Sequence, residues 1–151
     1  MRPLLLLTLS LSFACADDGV CRDGVCLCRD VDACTPTCGR FGCDVTCERL
    51  TDCDVACGEA CATTCRDLSS CVLGCGASCG FVCERASDCA VECGEDCNVT
   101  CRDVGECTVR MRSGEVLCDR VGTCDVGCVD DVGVSVPATE CGDGRHVCGT
   151  C

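Results

Sequence analysis

The 151-residue chain has no Trp, Tyr, Lys, Ile or Gln, only three Phe, and a single His, His146. Each absence excludes something. Without Ile and the large aromatics, a conventional core of bulky apolar side chains cannot be assembled. Without aromatic stacking platforms, and with a formal charge of −13, the chain is a poor partner for nucleic acid. His, Lys and Tyr are the usual proton carriers, and only His146 remains of the three, which argues against most acid/base enzymes. The sequence therefore assigns no catalytic residue, no cofactor and no metal site.

Residues 1–16 read as a secretory signal. Arg2 is its basic start, Leu4 to Phe13 its apolar stretch, and Ala14-Cys15-Ala16 its small-x-small cleavage site, so the exported chain would begin at Asp17. The apolar stretch is too short to span a membrane, and no later segment is apolar enough. A second reading cuts before Cys15 and places a lipid on that cysteine, anchoring the protein at a bacterial cell surface. Ala14 fits that reading, and Ser12 and Phe13 fit it less well. Cleavage after Ala16 removes Arg2 and no acid, leaving 11 Arg against 25 Asp and Glu, a charge of −14. It also leaves 26 Cys, an even number, and an even count in an exported chain favours disulfides. Lys, Ile and Tyr have AT-rich codons, and their absence hints at a high-GC, bacterial genome.

Cysteine is what the chain has instead: 27 residues, about one in six. From Cys53 the pattern C-x3-C-x3-C-x3-C-x5 recurs every 18 residues. Its copies are Cys53, Cys57, Cys61, Cys65, then Cys71, Cys75, Cys79, Cys83, then Cys89, Cys93, Cys97, Cys101. Upstream, Cys34, Cys38, Cys43 and Cys47 form the same unit with one residue inserted. Downstream, Cys107 and Cys118 belong to a degenerate unit one residue short, and Cys124 and Cys128 open a last one. Pieces such as Cys43-Asp-Val-Thr-Cys47 and Cys89-Ala-Val-Glu-Cys93 alternate with period two, Cys, Val and Cys on one side and small or polar residues on the other. Each reads as a short β-strand. Cys at i, i+4 and i+8 would also share one helix face, but stretches this rich in Gly, Val and Thr are poor helix formers. Two strands per repeat are joined by a tight turn that opens with Gly39, Gly58, Gly76 or Gly94, and a five-residue turn leads on to the next repeat. Val132, Val134 and Val136 fall where the second strand of the last unit belongs.

The long turns carry a second signal. Their first two residues are Arg29-Asp30, Glu48-Arg49, Arg66-Asp67, Glu84-Arg85, Arg102-Asp103 and Asp119-Arg120, so the order of charges flips at every repeat. If coils stack in register, neighbours sit ~4.8 Å apart and both columns alternate in sign, which opposite charges favour and like charges oppose. The third turn position is apolar in every copy: Val31, Leu50, Leu68, Ala86, Val104 and Val121. The expected fold is an all-β, disulfide-rich β-solenoid (β-helix) of about six 18-residue, two-strand coils, roughly 29 Å long at that rise. Its expected parts are the signal, 1–16, an N-terminal cap, 17–33, the solenoid repeats, 34–136, and a C-terminal cap, 137–151.

Two antiparallel strands joined by the tight turn bring inner cysteines together and outer cysteines together. The expected inner pairs are Cys38–Cys43, Cys57–Cys61, Cys75–Cys79 and Cys93–Cys97. The expected outer pairs are Cys34–Cys47, Cys53–Cys65, Cys71–Cys83, Cys89–Cys101 and Cys107–Cys118. If the one-residue deletion of the degenerate unit lies in its short turn, Met111 and Gly114 take both inner positions, so the two inner partners vanish together. Vertical pairing between coils is the alternative, at a Cβ spacing longer than the ~3.8 Å a disulfide prefers. The ends do not balance: Cys21, Cys26 and Cys28 remain on one side, and Cys124, Cys128, Cys141, Cys148 and Cys151 on the other. Either one thiol is left at each end, or the ladder shifts register.

In plan, the cysteine repeat over residues 28–136 resembles the disulfide-laddered β-solenoids of hyperactive insect antifreeze proteins. It also looks like the cysteine-rich repeat proteins of some high-GC bacteria. The antifreeze resemblance implies a surface that binds ice through a flat Thr-Cys-Thr array on shorter coils. The nearest counterpart here is one column, Thr46, Thr64, Val82, Thr100 and Leu117, beside the mixed column Asp44, Ala62, Gly80, Asn98 and Glu115.

Other residues suggest chemistry. Thiolate metal binding is one alternative, for which only Cys26-Leu-Cys28 and Cys148-Gly-Thr-Cys151 have a ligand-like spacing. His146, near Asp143 and Cys148, could form a Cys-His pair, although a structural His in a terminal cap is the plainer reading. Asp130 and Asp131 could attract Ca²⁺, but no spaced ligand loop surrounds them. Asn98-Val-Thr100 is a glycosylation sequon in a eukaryotic secretory route. The expected function is that of a secreted or surface-attached, non-enzymatic structural or interaction protein. Ice or surface binding and thiolate metal binding are the alternatives, and the protein or surface partner is unidentified.

Overall fold

The structure is a computed structural model and describes residues 20–39 and 42–151. The signal, the Cys15 lipidation site and the first residues of the expected N-terminal cap lie outside the described residues. Twelve strands and no helix occur among the described residues. In chain order they are β1 (Val20–Arg22), β2 (Val25–Arg29), β3 (Ala33–Cys34), β4 (Asp44–Glu48), β5 (Asp52–Ala56), β6 (Ala62–Cys75), β7 (Gly80–Cys93), β8 (Cys97–Met111), β9 (Gly114–Val129), β10 (Ser135–Pro137), β11 (Thr139–Gly142) and β12 (Arg145–Cys148). From β6 to β9 each strand runs through its long turn, so a whole coil pairs continuously with the next. β2 with β3, and β4 with β5, are the same coil with the ladder interrupted at the turn.

The coils pair parallel and in register, giving six of them from β2 to β9. The pairing joins equivalent cysteines along the stack, as Cys47 with Cys65, Cys83, Cys101 and Cys118. An all-β disulfide-rich solenoid of about six coils is thus the observed fold. Period-two alternation explains the burial, because every second residue enters the interior. Val45, Thr63, Phe81, Val99 and Val116 fill the interior from the first strand of each coil, and Val55, Leu73, Val91, Val109 and Val126 from the second. Buried bridges flank them and replace the missing large side chains.

The long turns reverse the chain at their second residue, where Asp30, Arg49, Asp67, Arg85, Asp103 and Arg120 all have φ between 52° and 56°. Asp takes this left-handed conformation more readily than Arg does. The third residue then points inward, and Leu50, Leu68, Ala86 and Val104 close that end of the core. At the short turns, coils approach so closely that Gly76 donates its N–H to the Gly58 carbonyl at 2.6 Å.

Thirteen disulfides join all 26 cysteines of the described residues. At the short turns they are Cys38–Cys43, Cys57–Cys61, Cys75–Cys79 and Cys93–Cys97. Met111 and Gly114 stand at the positions of Cys93 and Cys97 in the next coil. The expected outer pairs Cys34–Cys47, Cys53–Cys65, Cys71–Cys83, Cys89–Cys101 and Cys107–Cys118 are not formed. Their cysteines bridge across the long turn instead: Cys28–Cys34, Cys47–Cys53, Cys65–Cys71, Cys83–Cys89, Cys101–Cys107 and Cys118–Cys124. The reason is where the coil rises. Cys53 lies opposite Cys47, with a Cα separation of 6.4 Å, and Cys65 is the parallel neighbour of Cys47, a further strand spacing up the stack. The shift by half a repeat also balances the ends, which close as Cys21–Cys26, Cys128–Cys148 and Cys141–Cys151.

Both ends of the stack are covered by antiparallel strands. β1 folds onto β2, and β10 and β12 fold onto the two halves of β9. The expected final strand Val132–Val136 therefore leaves the parallel stack. The Asp130 carboxylate accepts the N–H groups of Val132 and Val134 at 3.0 and 2.8 Å, and the resulting tight turn sends Ser135–Pro137 back along the edge of β9. Val132, Val134 and Val136 are exposed.

Candidate functional site

The long-turn edge is a ridge of ion pairs built by the alternating charges. In its first column Arg29 donates to Glu48 at 2.6 Å, and Glu84 accepts from Arg66 and Arg102 at 3.1 and 3.3 Å. Arg102 continues to Asp119 at 3.2 Å. In the second column each Arg grips the Asp one coil below with both carboxylate oxygens: Arg49 on Asp30, Arg85 on Asp67 and Arg120 on Asp103. The hydrogen bonds from these guanidinium groups hold the carboxyls of Asp30, Asp67 and Asp103 below the ordinary Asp value of 3.8. An open groove of about 370 Å³ lies on this ridge, lined by Asp30, Asp32, Arg49, Thr51 and Asp67 over Val31 and Leu50.

The first strands of the coils present one parallel, in-register face. The expected column Thr46, Thr64, Val82, Thr100 and Leu117 is in register, and Leu27 extends it by one coil. Leu27 escapes the sequence reading because Cys21, Cys26 and Cys28 break the repeat spacing. The neighbouring column runs Val25, Asp44, Ala62, Gly80, Asn98 and Glu115, and Asn98 points outward. The second strands offer a more mixed surface, in which Arg110 pairs with Asp125 at 2.6 Å.

The residues with candidate chemistry are scattered. His146 lies on β12 beside Val116, its ring close to the Cys118–Cys124 bridge. Cys148 is bridged to Cys128 in the cap. Cys26 and Cys28 go to different partners, Cys21 and Cys34, and Cys148 and Cys151 to Cys128 and Cys141. The cysteine groups close enough to hold an ion, such as Cys38, Cys43, Cys57 and Cys61, are all in disulfides, and a disulfide sulfur is not the thiolate that binds zinc. Asp130 spends one carboxylate oxygen on its own turn, and Asp131 projects into solvent within 3.9 Å of Arg112. No helix of the described residues is long and apolar enough to cross a membrane. Comparisons with protein-family models, with curated proteins and with solved structures return no match.

Proposed function

We propose that the protein is a secreted or surface-attached, non-enzymatic solenoid that acts as a disulfide-stiffened structural or interaction element. The observation that supports this most is the pair of bridge columns running along the stack, with the long-turn ion pairs beside them. Bridges so dense are kept in oxidising compartments outside the cytosol. The intact mass of the exported protein, before and after denaturing reduction and alkylation, tests the proposal. A start at Asp17 with thirteen bridges supports it, and lipid on Cys15 would make the protein an anchored one. Mostly free thiols, or mass lost on chelation, would replace it with a metal-thiolate protein.

A second reading is binding to ice or another ordered surface through the face of the first strands. It is favoured by the in-register column Leu27, Thr46, Thr64, Val82, Thr100 and Leu117. Absence of thermal hysteresis and of recrystallisation inhibition at millimolar protein would remove it.

A further inference from the structure

The two bridge columns are unequal. Long-turn sulfurs of the inner coils are sealed, with Cys47, Cys65, Cys71, Cys83, Cys101 and Cys107 at 0% exposure beneath the apolar turn residues and the ion-pair ridge, and only in the last coil are Cys118 and Cys124 partly exposed. Among the described residues no ion-pair ridge covers the short-turn edge, whose turns begin with Gly and have three residues, or four between Cys38 and Cys43. There Cys38, Cys57 and Cys75 are partly exposed and their partners Cys43, Cys61 and Cys79 are buried, while in the fourth bridge Cys93 and Cys97 are both buried. The bridges of this column also touch. Cys43 Sγ lies 3.7 Å from Cys57 Sγ and 3.9 Å from Cys61 Sγ, and Cys61, Cys75 and Cys79 have their sulfurs within 4.8 Å of one another. All of these sulfurs are oxidised, so these are contacts between bridges and not hydrogen bonds.

We infer that the short-turn edge is a thiol-exchange site for low-molecular-weight thiols, along which an opened bridge migrates toward Cys38. An external thiolate attacks the partly exposed Cys75, the Cys75–Cys79 bond breaks, and its electron pair leaves on Cys79. Cys75 then carries the mixed disulfide. The Cys79 thiolate attacks Cys61, forming Cys61–Cys79 and expelling Cys57. Cys61 and Cys79 immediately precede the paired residues Ala62 and Gly80, and their sulfurs lie within 4.8 Å of each other. The Cys57 thiolate attacks Cys43, forming Cys43–Cys57 and expelling Cys38, which takes up the proton lost by the external thiol. Each step makes one S–S bond and breaks one, so the exchange balances with the external thiol as its only co-reactant. The column has a stop on its other side, since Met111 and Gly114 replace the next pair beyond Cys93–Cys97. The terminal caps contain exposed bridges of their own, so the comparison that matters is between the two columns of the solenoid.

The test uses the oxidised full-length protein, whose intact mass first reads whether the bridges are formed. It is treated with limiting reduced glutathione at neutral pH, quenched with acid, alkylated with N-ethylmaleimide and mapped by peptide mass spectrometry. The expected products carry glutathione on Cys75, maleimide on Cys38, and the new links Cys43–Cys57 and Cys61–Cys79. Modification of Cys65, Cys71, Cys83 and Cys89 should be about tenfold slower, because exchange needs access to sulfur. Equal modification of both columns would overturn the inference, as would short-turn adducts without the new links. Replacing Cys57→Ser and Cys61→Ser together removes one rung without leaving a thiol. Maleimide on Cys38 should then be lost, and its persistence would overturn the relay. Should that variant not fold, the link map of the unaltered protein still decides.

Discussion

Arg49 grips Asp30 across nineteen residues of sequence and one coil of the stack, its Nε and Nη2 donating to the two carboxylate oxygens at 2.7 and 2.9 Å. Both residues sit at the left-handed corner of their turns, with φ of 55° and 56°. Arg pays a steric cost at such a corner, and the two-pronged bond is what the geometry returns.

The first prediction concerns this pair. The Asp30 carboxyl should titrate below 3.8 in the native protein and return toward 3.8 in Arg49→Leu. Asp67 should move less, because its main partner is Arg85. A folded-state pKa that is lowered contributes stability above the unfolded value, and that contribution is lost as pH falls through the folded value. The stability difference between the two proteins should therefore be present at neutral pH, shrink as the pH falls below 3.8, and weaken at high salt. Carboxylate NMR titration reads the first part and denaturant unfolding the second. Equal Asp30 midpoints in both proteins would show that the pair does not hold in solution.

The bridge pattern gives a sharper test. Replacing Cys47→Ser with Cys53→Ser should leave no free thiol, since the two are joined. Replacing Cys53→Ser with Cys65→Ser should leave two, Cys47 and Cys71. Thiol titration of the denatured, unreduced proteins counts them. Removing one long-turn bridge should cost about 2 kcal/mol, the chain-entropy value for so short a loop. The reverse thiol counts would restore the pairing through the tight turn.

Glycine contacts at the short turns predict an asymmetry between neighbouring positions. A Cβ on Gly94 would meet the carbonyl of Gly76 one coil away, and backbone cannot yield as a side chain can. Gly94→Ala should destabilise the fold by about 2–3 kcal/mol, the range of an overpacked site. Ala60, two residues after Gly58, is exposed with φ of 54°, a conformation that glycine adopts freely. Ala60→Gly should change stability by less than about 1 kcal/mol. Denaturant midpoints of the two variants compare the positions directly, and a tolerated Gly94→Ala would mean that the coils are not so closely stacked.

Much of this fold is legible in the repeat, and the illegible parts have definite causes. Spacing with period two fixes which side of Cys43-Asp-Val-Thr-Cys47 turns inward, and flipped charges such as Arg29-Asp30 and Glu48-Arg49 require neighbouring coils in register. Spacing does not say at which turn the coil rises. Cys53 faces Cys47 on its own level and Cys65 on the next, and a one-dimensional pattern treats the two alike. Likewise Val132, Val134 and Val136 keep the alternation of a coil strand, which is the same whether the strand runs parallel or antiparallel. Only the Asp130 turn decides between them. The face of the first strands is partly readable, as its Thr and Val column follows from the repeat, and the irregular cap hides Leu27. The sulfur contacts of the short-turn edge depend on bridge geometry that no residue pattern contains.

Thr63 carries the last prediction. It stands between Val45 and Phe81 in the inward column, fully buried, and its hydroxyl has no hydrogen-bond partner. An orphaned buried hydroxyl forfeits its hydration without recompense, so the shape-matched Thr63→Val should stabilise the protein by about 1 kcal/mol. Thr63→Ser keeps the hydroxyl and loses a methyl group, and should destabilise by roughly the same amount. Both are read as shifts in denaturant midpoint at unchanged slope. Opposite signs for the two variants would establish that the hydroxyl is a burden inside this core. A destabilised Thr63→Val would instead mean that the interior holds a bound water there, which the hydroxyl needs.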